Sequence, residues 1–167
     1  CKRPELQGFL VTDANSRQVQ HFKHSSRGMF MTFPSSPPFQ LKVTDRGSLM
    51  AHWDREKELY VLMRASIAKQ ERSGVSPVVI DAGANHGTYS LYAAKLGATA
   101  LAIEPQKVMV GNIMFSIEAN KLEQKVRIYN NAVLDTFTGV HLRDEHVGND
   151  GGVAKAFPGG NIQTLTL

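Results

Sequence analysis

The residues best suited to chemistry are gathered in one short turn and at two positions downstream of it. Asp81-Ala82-Gly83-Ala84-Asn85-His86-Gly87 follows the apolar run Val78-Val79-Ile80 and leads into Thr88. Glu104 lies seventeen residues beyond Gly87, and Asn131-Ala132 lies further along. A glycine-bearing turn between a strand and a helix lets a ligand approach bare backbone. A carboxylate about twenty residues later is the group that accepts ribose hydroxyls in dinucleotide sites. The chemistry implied is recognition of a nucleoside.

Three ligand classes compete for this turn. A phosphate-cradling loop needs Gly-Lys-Ser/Thr at its end, and here Gly87 is followed directly by Thr88. A dinucleotide fingerprint needs glycines at its first, third and sixth positions; counted from Gly83, Asn85 and Thr88 occupy the third and sixth. The Asn85 side chain would crowd a pyrophosphate, which disfavours NAD and FAD. S-adenosylmethionine carries no pyrophosphate, so one close backbone approach suffices. Gly83 supplies it and Gly87 lets the helix start tightly behind. Asp81 is then placed for the ligand's ammonium, Glu104 for both ribose hydroxyls, and Asn131 and Ala132 for the adenine edge. The competing reading is a tight structural turn followed by a solvated glutamate.

The elements that must hold these residues follow from periodicity. Val78-Val79-Ile80 predicts a strand buried on both faces. Residues 88–96 predict a helix with Tyr89, Tyr92, Ala93 and Leu96 on one side, closed by Gly97. Residues 98–103 form a second strand ending at Glu104-Pro105, and Pro105 suits the first turn of the next helix. That helix carries Val110, Ile113, Met114 and Ile117 at helical spacing and ends near Asn120. A third strand spans 126–129. The order β-α-β-α-β requires a parallel sheet with right-handed crossovers. Upstream, residues 54–69 predict a helix with Asp54 as N-cap, Leu59, Leu62, Met63 and Ile67 as its apolar stripe, and Lys69 and Arg72 near its C-terminus. Strands are expected at 139–143 and 162–167, with turns at 148–152 and at Pro158-Gly159-Gly160.

The first fifty residues read as an irregular or β-rich extension. Met29-Phe30-Met31-Thr32-Phe33 is a candidate strand between turns at Ser25-Ser26-Arg27-Gly28 and Pro34-Ser35-Ser36-Pro37-Pro38, and Phe39-Gln40-Leu41-Lys42-Val43 is a second one after them. Across 167 residues the chain is 42% hydrophobic and 20% charged, within the range of ordinary globular domains. No stretch is apolar and long enough for a transmembrane helix. A single cysteine excludes an internal disulfide and any cysteine zinc site, and no metal site is expected. The net charge of +4 comes from the N-terminal half, where residues 1–76 hold twelve Lys/Arg against seven Asp/Glu. No run of five or more like charges and no nucleic-acid motif accompanies it. The surplus reads as a solvated basic surface, with binding of an anionic partner as the alternative. Docking of a protein partner on the N-terminal arm is the use a scaffold role would give it.

Residues 79–91 resemble the first motif of class I methyltransferases of the FkbM type. Ile103-Glu104-Pro105-Gln106 is similar to that family's second-strand motif, and Asn120, Leu122 and Asn131-Ala132-Val133 fall where it has them. Two positions depart from the pattern. His86 stands where a small aliphatic residue is usual, and Ser116 where asparagine is frequent. The resemblance spans about residues 50–167 and implies an α/β, Rossmann-like sheet binding S-adenosylmethionine. Asp81, Gly83, Ala84, Asn85, Gly87, Thr88, Glu104, Pro105, Asn131 and Ala132 are the implied cofactor residues. It further implies methyl transfer to a hydroxyl oxygen of a sugar or other small molecule, by in-line displacement in which positioning supplies much of the rate. No catalytic base is nominated: His21, His24, His52, His141 and His146 fall outside any motif. On this reading residues 1–50 are an extension. Residues 51–167 are the N-terminal half of a methyltransferase domain, truncated after three βα units plus accessory strands. The Cys1 start is read as a cut or processed end, leaving the compartment open. The alternative is an inactive methyltransferase-like module serving as a scaffold in a larger complex.

Overall fold

A computed structural model describes residues 28–44, 46–144 and 154–166. The turns expected at Ser25-Ser26-Arg27 and at 148–152, and the basic arm before Gly28, lie outside these residues. His21, His24 and His146 lie outside them too.

The first two elements are a hairpin, β1 (Met29–Phe33) and β2 (Phe39–Val43), paired antiparallel from Met29↔Val43 to Phe33↔Phe39. Alternation decides its faces: Met31, Phe33, Phe39, Leu41 and Val43 are buried, while Thr32 and Gln40 point outward. Helix α1 (Arg46–Arg72) follows. It begins eight residues before the expected N-cap, so Asp54 lies inside the helix and its first turn carries no acid. The expected stripe is also shifted. Leu59 and Leu62 are exposed, and the buried side is Leu49 and Tyr60 with Ile67, flanked by Trp53 and Met63. Aromatic packing sets this rotation. Phe33 meets Phe39 and Trp53 with ring centroids 5.0 Å apart in each pair, and Tyr60 packs on Trp53, Tyr89 and Tyr92 at 4.8–5.1 Å. Such ring pairs add roughly 0.5–1.5 kcal/mol beyond area burial, enough to outweigh two leucines left on the outer face.

The centre of the fold is β3 (Val78–Ala82), α2 (Thr88–Lys95), β4 (Thr99–Ile103), α3 (Lys107–Asn120) and β5 (Val126–Tyr129). The strands are parallel in the order β3-β4-β5, with Val78↔Thr99 and Ala100↔Val126 in register. Two right-handed crossovers stepping the same way place both helices on one face. There Ala100, Ala102, Val126 and Ile128 pack beneath Leu91, Ala93, Val110 and Ile113. The alanines of β4 let the helices approach closely. The opposite face is only partly covered: Val78 is 54% and Ile80 53% exposed. The apolar run therefore marks a strand with one covered face, because the described helices crossing from this sheet lie on a single side of it.

Val110, Ile113, Met114 and Ile117 are buried as the periodicity requires, yet the other side of α3 is buried as well. There Asn112, Ser116 and Asn120, four residues apart, face the hairpin. Lys42 N donates to Ser116 Oγ at 2.8 Å, Gln40 N donates to Asn120 Oδ1 at 3.0 Å, and Asn120 Nδ2 returns a bond to Gln40 O at 2.6 Å. Four helical residues rise about 6 Å and two strand residues about 6.6 Å, so the two spacings match. Asn112, one turn earlier, is fully enclosed and its amide has no partner among the described residues.

A second sheet contains β6 (Ala132–Val133), β7 (Gly139–Asp144), β8 (Ala154–Pro158) and β9 (Ile162–Leu165) in the order β6-β9-β7-β8. Only β6 and β9 run parallel; β7 pairs antiparallel with β8 and with β9. Residues 139–143 and 162–165 match the expected strands, whereas β6 and β8 were not anticipated.

The docking of the hairpin is testable through Ser116, whose hydroxyl also donates to Asn112 O. Ser116→Ala leaves the Lys42 amide without its acceptor and is expected to cost about 1–2 kcal/mol. The expected result is a lower urea midpoint and faster hydrogen exchange confined mainly to β2; exchange unchanged in β2 contradicts the assignment.

Candidate functional site

The turn between β3 and α2 folds back over the tip of β4. Gly83 N and Ala84 N both donate to Ile103 O, at 2.9 and 3.0 Å, and Gly87 N donates to Ala84 O at 2.6 Å. Asn85 N donates to Glu104 Oε2 at 2.7 Å. This geometry needs left-handed backbone at Gly83 (φ 83°), Asn85 (φ 51°) and Gly87 (φ 77°). Asparagine tolerates that region better than most residues. A Cβ at Gly83 would meet nothing within 4 Å, so the space beside it is open. A Cβ at Gly87 would come 2.9 Å from Ile113 Cγ1, so Gly87 allows α2 to start against α3.

Glu104 sits between the two strand-to-helix turns. Its Oε2 accepts from Asn85 N, and its Oε1 accepts from Gln106 N at 2.7 Å. Each oxygen keeps a lone pair for another donor. The residue is 2% exposed, with the Asn85 turn lying over it. Burial pushes its carboxyl up from an ordinary 4.5 to about 7, against the lowering effect of the Gln106 and Asn85 amides. Asn130 holds the same turn from beneath, donating through Nδ2 to Glu104 O at 3.0 Å and Pro105 O at 2.9 Å. Asn130 escaped the sequence reading, although it stands beside the motif residue Asn131.

Asp81 is turned inward. Its Oδ2 accepts from Ser90 N at 3.0 Å and Ser90 Oγ at 2.6 Å. Helix α2 opens on Gly87, which has no side chain to cap its free amides. Asp81 therefore supplies the anion at that N-terminus from the neighbouring strand. Burial raises its carboxyl pKa, and the two Ser90 hydrogen bonds act the other way. Thr88 bonds the Tyr60 hydroxyl, and Tyr89 donates its hydroxyl to Glu56 Oε2 at 2.6 Å. His86 is buried at 8% exposure.

The predicted site residues thus divide by place. Gly83, Ala84, Asn85, Gly87, Glu104 and Pro105 converge around the tips of β3 and β4. Asp81 and Thr88 brace α2 behind them. Asn131 and Ala132 are enclosed, with Asn131 Nδ2 donating to Gln163 O at 3.0 Å and Ala132 paired with Thr164. Chemically, the cluster rejects phosphate. The amides of Gly83, Ala84, Asn85 and Gly87 are all bonded within the protein, and two buried carboxyls lie behind them. What fits is a neutral or cationic group against Gly83 and a donor pair on Glu104.

Glu104 also fixes a pH dependence. Its folded pKa lies above the unfolded one, so the fold binds the extra proton more tightly. Its contribution to stability is present below about pH 4.5 and is lost as pH rises through about 7. The difference is on the order of 3 kcal/mol. Urea midpoints are expected to fall between pH 5 and pH 8, and the fall is expected to flatten in Glu104→Gln. Asp81 acts in the same direction.

No protein-family model matches the chain, and no curated protein matches it. Among solved structures, the chain is similar to a SAM-dependent methyltransferase from Agrobacterium tumefaciens, with 17% identity and a TM-score of 0.45. The alignment covers 64% of this chain and 34% of that one, so the chain spans about a third of that protein's length.

Proposed function

We propose that the chain is the nucleoside-binding half of an S-adenosylmethionine-dependent methyltransferase acting on a hydroxyl oxygen of a sugar or other small molecule. One observation carries this reading. Glu104 is a buried carboxylate with a lone pair left on each oxygen, set beside a glycine turn whose amides are already spent. That combination suits a ribose diol and is unsuited to a pyrophosphate.

The chain's own residues have distinct tasks on this reading. Glu104 accepts the two ribose hydroxyls when the Asn85 amide gives ground, and Gln106 N keeps the carboxylate oriented. Gly83 leaves room for the amino-acid tail. Asp81 acts at one remove, fixing the start of α2 so that the turn keeps its shape. The bound sulfonium supplies an activated methyl group, and positioning against the acceptor hydroxyl accounts for much of the rate. Further strands of such a domain fit along the outer edge of β3, and further helices over the face where Val78 and Ile80 are exposed.

The test is calorimetry with S-adenosylhomocysteine. Wild type is expected to bind, and Glu104→Ala to bind about 100-fold more weakly through loss of two hydrogen bonds to a charged acceptor. Because the diol selects the ionised carboxylate, affinity is expected to rise about tenfold from pH 6 to pH 8, tracking the fraction of Glu104 ionised. Gly83→Ala is expected to lower stability by about 1 kcal/mol, since φ is positive there, while weakening the ligand at least tenfold. Binding indifferent to Glu104, or no binding, would favour a scaffold role for this fold.

A further inference from the structure

The two long sides of the hairpin are treated differently. On β2, Gln40 N donates to Asn120 and Lys42 N to Ser116, and Gln40 O accepts from Asn120. The main-chain groups of Gln40 and Lys42 therefore point away from β1. In an antiparallel ladder, opposed residues alternate between pairs that exchange both main-chain bonds and pairs that exchange none. Gln40 stands opposite Thr32, and Lys42 opposite Phe30. Thr32 and Phe30 consequently aim their amides and carbonyls outward, along the far side of β1. Among the described residues β1 has no strand beside it other than β2, so these groups lie open.

This side of β1 lacks the devices that keep strand edges apart. A charge, a proline or a bulge within the strand is the usual safeguard. Met29–Phe33 has no charge and no proline, and its register with β2 runs without interruption. Met29 and Phe30 are exposed at its start. Lys42, the cation opposite Phe30, holds its Nζ 4.2 Å from the centroid of the Phe115 ring on α3.

We propose that β1 pairs antiparallel with β1 of a second copy of this chain, about a two-fold axis at Met31. The strand itself selects this occupant and this register. With Met31 opposite Met31, Phe30 of each copy faces Thr32 of the other, and each such pair exchanges two hydrogen bonds. The outward groups of both residues are then used on both copies. Slipping the axis either way fails. One slip sets Phe30 opposite Pro34, which has no amide to give. The other sets Thr32 opposite Gly28, whose φ of 100° ends the extended backbone. A patch that satisfies its own copy in this way is isologous, and such contacts close as dimers. Closure is complete here, because α3 already borders β2 in each copy.

The test is sedimentation equilibrium on the full chain. Short strands place the contact at the small, transient end of interfaces, so dimers are expected at about 100 μM and monomers at about 1 μM. Thr32→Pro removes an amide that β2 does not use. It is expected to weaken the dimer at least about tenfold while keeping a cooperative melt. The register is read with Met31→Cys in a Cys1→Ser background. Directly opposed residues in such a pair have Cα atoms ~4.5 Å apart, within the span of a disulfide, so oxidation is expected to link two chains. A wild-type monomer at about 100 μM overturns the inference, whether hydrogen exchange finds the Phe30 and Thr32 amides open to a foreign strand or covered by the chain's own residues. A dimer that survives Thr32→Pro overturns it as well. So does a Met31→Cys variant that melts cooperatively yet does not crosslink.

Discussion

Glu104 is the tie on which the candidate site depends. Its two oxygens take one amide from each strand-to-helix turn, so a single carboxylate sets the separation between the start of α2 and the start of α3. Without it, the Asn85 amide loses this hydrogen bond and the turn over β4 loses a tie to the strand tip. The arrangement has an energetic cost, since burying a carboxylate raises its pKa. The bonds to Asn85 and Gln106 offset only part of that. A carboxyl kept in such surroundings, with acceptor capacity left over, is a common signature of a functional position.

The parallel unit was legible because each of its signals is local. Val78-Val79-Ile80, the glycine turn and the Val110-Ile113-Met114-Ile117 stripe fall where periodicity puts them, and Glu104 lands at a strand tip as its spacing from Gly87 requires. What stayed hidden was tertiary. The rotation of α1 is decided by Phe33, Phe39, Tyr89 and Tyr92, none of them on that helix, so Leu59 and Leu62 looked like core. Nothing in the sequence says that Ser90, nine residues on, will bind one oxygen of the Asp81 carboxylate. Asn131 and Ala132 sit at a strand tip as expected, but the pairing of β6 with β9 joins residues about thirty apart and encloses them.

Asp81 and Glu104 divide the labour of the turn between them. Asp81 faces the helices and stiffens the start of α2; Glu104 faces the strand tips and keeps acceptor capacity for a ligand. Two acids 23 positions apart in sequence thus serve one loop from its two sides. The glycines are equally specialised, with Gly83 leaving open space and Gly87 admitting Ile113.

The polar stripe on α3 has a consequence for solubility. A two-stranded hairpin has free main-chain groups along both outer margins, and such margins recruit other strands into fibrous aggregates. On β2, Ser116 and Asn120 occupy those groups at the strand's own repeat, so the helix stands in for a third strand while offering no main-chain margin of its own. Growth by strand addition is stopped there by side chains alone.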